Sequence, residues 1–173
     1  AVIKISAVAE ERRLIKAPAA VFEDEAAVKA AYAAGELDRD VVVVVRGQGP
    51  QATGMPELHS LTPMLSNLQD KGHAVALVTD GRMSGASGTV PAAIHVMPEA
   101  VAGGPIGQLA DGDMIRLDAV AGTLQTEAGL NSRAPFGPTN NAPQRGFARP
   151  LFSALRASAG SAEQGAGLHS QES

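Results

Sequence analysis

The chain has 173 residues, 45% of them hydrophobic, and a formal net charge of −4. This length favours one domain whose core needs no staples. The acidic balance, with a pI near 5.5, argues against a nucleic-acid or anionic-membrane surface, which needs clustered Lys and Arg. There is no cysteine, which excludes disulfides, zinc–thiolate centres and cysteine-ligated clusters within these residues. That composition fits a reducing, cytoplasmic setting. No apolar run approaches the ~20 residues of a membrane span, and no signal-peptide pattern is visible. The opening Ala1-Val2-Ile3-Lys4-Ile5 has no Met and reads as a cut inside a longer protein.

A short strand is predicted within residues 1–8 from Val2, Ile3, Ile5 and Val8. Residues 23–34 form an Ala-rich helix, with Asp24 to cap its start and Gly35 just past its end. Val41 to Val45 is β-branched at every position, which predicts a strand buried on both faces. Residues 47–54 are a glycine loop, and no helix is expected to open there. Residues 61–71 are helical, with Leu61, Leu65 and Leu68 on one face, Pro63 near the start and Gly72 as stop. His73 to Val78 is a second core strand. A short helical turn is expected over residues 88–93, then a brief strand over residues 94–96. Residues 114–120 and 123–125, joined at Ala121-Gly122, read as a hairpin.

From Thr126 to Arg149 Gly, Pro, Asn and Ala dominate, which predicts a linker or extended loop. Residues 151–159 are a short amphipathic helix with Leu151, Phe152 and Leu155 on one side. Residues 160–173 read as a frayed tail. The expected organisation is a β-rich α/β domain over residues 1–125, an extended stretch over 126–149 and a terminal helix and tail over 150–173. Two hydrophobic strands each run into a glycine loop, so both loops can share one end of a sheet.

The first loop, Arg46 to His59, contains Gly47, Gly49 and Gly54. It fits a dinucleotide fingerprint only in relaxed form, with Ala52 at the third glycine position and Pro50 removing an N–H donor. A P-loop would need Gly-Lys-Ser/Thr, which is absent. Glu57 and His59 could act as an acid–base or metal pair, but that spacing is common by chance. His73, His95 and His169 are scattered and form no ligand pattern.

The second loop, Thr79-Asp80-Gly81-Arg82-Met83-Ser84-Gly85-Ala86-Ser87-Gly88, is more specific. Glycines let the backbone approach a ligand closely, and the serines present hydroxyls. Ser84 could serve as a nucleophile or, ionised, as a base, if a neighbouring base, cation or metal activates it. The Gly-x-Ser-x-Gly elbow is absent, because Arg82 stands two residues before Ser84. The bland alternative is a glycine turn whose serines satisfy backbone groups.

The stretch VALVTDGRMSGASGTVPAAIHVMPEA (residues 75–100) and the following GGPIGQLADGDMIRLDAVAGTL resemble the carboxy-terminal domain of the dihydroxy-acid dehydratase/6-phosphogluconate dehydratase family. GPQATGMPELHSLTPMLSNLQDKG, the opening AVIKISAV and the terminal LFSALRASAGSAEQGAG look most like the 6-phosphogluconate branch. Residues 1–125 and 150–167 carry the resemblance. It implies a swivelling β-barrel-like domain with flanking helices. It also implies a hydro-lyase that converts 6-phosphogluconate to 2-keto-3-deoxy-6-phosphogluconate in the Entner–Doudoroff pathway.

By that resemblance Ser84 is the base that takes the proton beside the carboxylate. Arg82, Gly85, Ser87, Gly49 and Gln48 are then substrate-binding residues. An iron–sulfur cluster and, in several members, Mg²⁺ belong to the parent enzyme, whose cluster cysteines lie in an amino-terminal domain. This chain would carry no cofactor, would be inactive alone, and would partner that domain and a sugar-acid substrate within a homodimeric parent. Gln48 stands where other members carry a Glu metal ligand. Gly47 replaces a usual aromatic, and Gln51-Ala52-Thr53 replaces Arg-Ala-Asn. Ser87 stands where the dihydroxy-acid branch tends to carry Thr. A different class of function is a non-catalytic small-anion-binding or assembly module.

Overall fold

The computed structural model describes residues 1–84, 88–137 and 149–168. Its frame is a seven-stranded mixed sheet that forms a half-barrel with a few flanking helices. In chain order the strands are β1 (Val2–Lys4), β2 (Leu14–Phe22), β3 (Val41–Val45), β4 (Val75–Thr79), β5 (Ala92–Ile94), β6 (Met114–Asp118) and β7 (Thr123–Thr126). Across the sheet they run β1-β5-β4-β3-β2-β6-β7. Strands β2 to β5 are mutually parallel, and β1, β6 and β7 join antiparallel to their neighbours.

Helices α1 (Glu25–Ala33) and α3 (Thr62–Asp70) cover one face. Asp24 caps α1 by accepting from the Ala27 N–H at 2.8 Å, the role its short carboxylate suits. The two-residue period of a strand sorts the valines of β3 between two cores. Val41, Val43 and Val45 pack with Val28, Leu65 and Leu68 on the helical side. Val42 and Val44 pack with Ile15, Val78, Ile106, Ile115 and Leu117 on the other side. Every valine of β3 is fully buried, each contributing roughly 1.5–3 kcal/mol.

Strand β2 gives the sheet its curl. Leu14 to Pro18 pairs with β6, and Ala19 to Phe22 pairs with β3. One strand therefore changes partner along its length, with Pro18 at the changeover. Lys16, Pro18 and a run of alanines weaken its sequence signature, so residue pattern alone assigns no element here. Residues 127–137 lie against the half-barrel, with Leu130 and Phe136 packed on the inner core. Arg133 pairs there with Asp113 and donates to the Gln108 carbonyl at 3.0 Å.

Three expectations are corrected. Residues 88–93 form no helical turn, and the strand there is Ala92–Ile94 rather than residues 94–96. Pairing of β5 with both β1 and β4 overrides the local pattern. A one-turn helix, α2 (Pro50–Thr53), does open in the first glycine loop. Pro50 at its first position suits the helical φ and needs no N–H partner.

The expected frayed tail is folded over residues 160–168. After α4 (Arg149–Ala157), Ala159 bridges to Leu168, Gly160 N–H donates to the Gly167 carbonyl at 2.8 Å, and Ser161 caps a short turn over Ala162–Gln164. Residues 169–173 lie outside the described set.

Candidate functional site

The parallel pairing of β3 and β4 puts both glycine loops at the same end of the sheet. Leu58 N–H donates to the Arg82 carbonyl at 2.9 Å, and Glu57 forms a parallel bridge with Arg82. The two loops are thus joined along their backbones. The end of β5 joins them, because His95 N–H donates to the Gly81 carbonyl at 2.9 Å and Val96 N–H to the Thr79 carbonyl at 3.0 Å.

Asp80 is the centre of this junction. It is fully buried, and its carboxylate accepts from the backbone N–H groups of Gly47 (3.1 Å), Gln48 (2.8 Å) and Ala100 (2.9 Å). Burial pushes its carboxyl above the ordinary value, although the same N–H groups pull it down. Glu99, also buried, accepts from Gln51 N–H at 3.1 Å and Ala52 N–H at 3.2 Å, at the start of α2. Burial raises its carboxyl too, with a smaller contribution from the Asp80 charge. The helix start that could have received a ligand anion is filled by this chain's own carboxylate. Gly49 makes that possible, since a Cβ there would overlap the Glu99 carboxylate. At Gly81 a Cβ would come within 2.8 Å of the Gln48 Cβ, so the close approach of the loops requires glycine there as well.

The sequence-predicted site residues divide accordingly. Gln48 is buried and its amide donates to the Glu23 carbonyl at 2.5 Å. Gly49 caps α2. Both build the loop frame. Arg82 is exposed, and its Nε donates to the Met55 carbonyl at 2.9 Å. Its terminal NH₂ groups have no partner among the described residues and are available to a carboxylate or phosphate. Ser84 is half-buried two residues further on. Gly85 and Ser87 lie outside the described residues. Glu57 and His59 are exposed, and the structure does not pair their side chains.

Two residues at this end carried no functional signal in the sequence. Lys4 is only 5% exposed, and its ammonium donates to the Gly88 carbonyl at 2.8 Å, holding the far end of the serine loop to β1. Burial lowers its pKa. His95 is half-buried with φ of 51°, the left-handed region. A lysine or histidine beside an apolar strand has no spacing pattern that would single it out.

The donor set does not suit a cluster or a metal. The chain has no cysteine, and no three His, Asp or Glu side chains converge among the described residues. The two buried carboxylates here spend their oxygens on backbone N–H groups. Among the described residues, no helix is long and apolar enough to cross a membrane.

The family model described as dihydroxy-acid/6-phosphogluconate dehydratase C-terminal matches residues 1–166. The chain belongs to this family. It is 55% identical over 168 residues to phosphogluconate dehydratase of Pseudomonas aeruginosa, covering 95% of this chain and 28% of that protein. It is 54% identical over 169 residues to phosphogluconate dehydratase of Escherichia coli, covering 96% of the chain and again 28% of the relative. A dihydroxy-acid dehydratase of Acetivibrio thermocellus is 47% identical over 131 residues, 73% of the chain and 23% of that protein. The chain thus spans under a third of the length of these curated relatives.

Proposed function

We propose that the chain is the carboxy-terminal part of a hydro-lyase that dehydrates 6-phosphogluconate to 2-keto-3-deoxy-6-phosphogluconate, the Entner–Doudoroff reaction. The supporting observation is the serine loop at the carboxyl end of β4, joined to the β3 loop, in a chain so similar to phosphogluconate dehydratases. A multiply charged sugar phosphate does not cross membranes unaided, so this reading sets the enzyme in the cytoplasm.

Ser84 is the base in this reading. Its hydroxyl, as alkoxide, takes the proton from the carbon next to the substrate carboxylate. A proton there is weakly acidic, and removing it builds negative charge on the carboxylate side, which cationic groups stabilise. Arg82 supplies one such group through its terminal NH₂ donors, which have no partner among the described residues and form the planar fork that suits a carboxylate. Gly85 and Ser87, next in the same sequence motif, bind substrate in this reading, and Gln48 and Gly49 contribute from the β3 loop. The iron–sulfur cluster, any Mg²⁺, the amino-terminal domain that holds them and a homodimeric assembly belong to the rest of the enzyme.

In the full-length enzyme Ser84→Ala is expected to lower kcat at least about a hundredfold, the low end of acid–base contributions, with cluster absorbance unchanged. Turnover close to that of the parent would remove Ser84 as the base.

A further inference from the structure

Loss of water from a 2,3-dihydroxy acid leaves an enol, and Ser84 accounts for only one of the protons that move. The C2–H and C3–O bonds break, and the proton from C2 leaves with the C3 hydroxide as water. The enol carbon C3 must then gain a proton while the enol hydroxyl loses one. A group that can both give and accept a proton is needed on the same side of the sheet.

We propose that His95 is that group, a second proton-transfer residue of the dehydratase centre. This rests on the dehydratase reading above. Three features of the structure carry it. The backbone of His95 sits at φ 51°, a region non-glycine residues seldom occupy and one that recurs at functional sites. Its N–H is bonded to the Gly81 carbonyl at 2.9 Å, which pins it one residue from Arg82 and three from Ser84 along the loop. Its imidazole is half-buried and has no hydrogen-bond partner among the described residues.

The charged side chain facing the ring is Arg82 from the serine loop. Burial first, and then the Arg82 charge, lower its pKa and so favour the neutral ring. A neutral imidazole holds a donor on one nitrogen and an acceptor on the other. His95 donates a proton to C3 and recovers one from the enol hydroxyl, so the ring ends as it began and the keto acid is released.

The test uses the full-length, cluster-loaded enzyme turning over 6-phosphogluconate in D₂O. Protonation of C3 by a fixed imidazole puts a single deuterium at C3 in one configuration. In His95→Asn, whose side chain tolerates the left-handed backbone, the enol meets solvent instead. The expected product is an even mixture of configurations, with kcat lowered at least about tenfold and KM within about threefold of the parent. His95→Gly, which accepts the same φ without strain, gives the same result if the asparagine variant folds poorly. A scrambled product from the parent, or a single configuration from either variant, would overturn the assignment. Ser84→Ala, run in parallel, separates the two readings. Retained turnover in that variant defeats the serine base while leaving the His95 outcome to stand by its own product configuration.

Discussion

The two ends of the parallel strands use the same side chain in opposite ways. At the amino ends of β3 and β4, Asp38 meets Lys71 at 3.0 Å and His73 at 2.8 Å, and Asp40 accepts from Ala74 N–H at 2.8 Å. These groups are at least partly exposed, and the cations beside Asp38 hold its carboxyl below the ordinary value. At the carboxyl ends, Asp80 and Glu99 are buried, answer backbone N–H groups rather than cations, and have raised pKa values. Exposed ion pairs are solvated with or without each other. Buried N–H groups have no alternative acceptor, so losing theirs is costly. One end of the sheet is therefore a solvated fringe. The other is a fixed frame on which Arg82, Ser84 and His95 are displayed.

The sharpest way to break this contrast is Asp80→Ala. It leaves the N–H groups of Gly47, Gln48 and Ala100 buried without acceptors, at about 1–3 kcal/mol each. A loss of several kcal/mol in urea denaturation is expected. A loss under about 1 kcal/mol would mean that the loops find other acceptors. Next in size is Gly49→Ala, which drives a methyl group into the Glu99 carboxylate and unseats the start of α2. Overpacking of this kind costs about 1–3 kcal/mol, and the same measurement reads it.

The smallest effect is in pH, where the two ends have opposite signs. The raised folded-state pKa of Asp80 gives a contribution present below the unfolded value of about 3.9 and lost as pH rises through the folded pKa. The lowered pKa of Asp38 gives one present above the unfolded value and lost as pH falls through the folded pKa. Denaturation midpoints between about pH 2 and pH 8 should lose the high-pH decline in Asp80→Asn and the acid decline in Asp38→Asn. Parallel profiles for both variants would erase the distinction between the two ends.

Much of the frame is readable in the chain itself. Five consecutive valines can only be comfortable where both faces are covered, and that predicts β3 as a strand buried on both faces. Asp24 and Gly35 bracket α1 by capping chemistry that acts within a few residues. Ala121-Gly122 turns the β6–β7 hairpin for the same local reason. Strand β2 is not readable this way. Its Lys16, Pro18 and alanines have weak strand preference, and it forms because β3 and β6 offer it partners on either side.

The site divides along the same line. The serine loop and its family come from residues adjacent in the chain, where each residue type acts through its own backbone. Asp80 accepting from Gly47, Glu99 capping α2, Lys4 reaching Gly88 and His95 beside Gly81 are contacts between distant parts of the chain. A carboxylate, ammonium or imidazole has the same sequence signature whether it is solvated or buried. Only the folded chain removes the water, and removal of water is what makes these groups structural anchors or proton carriers.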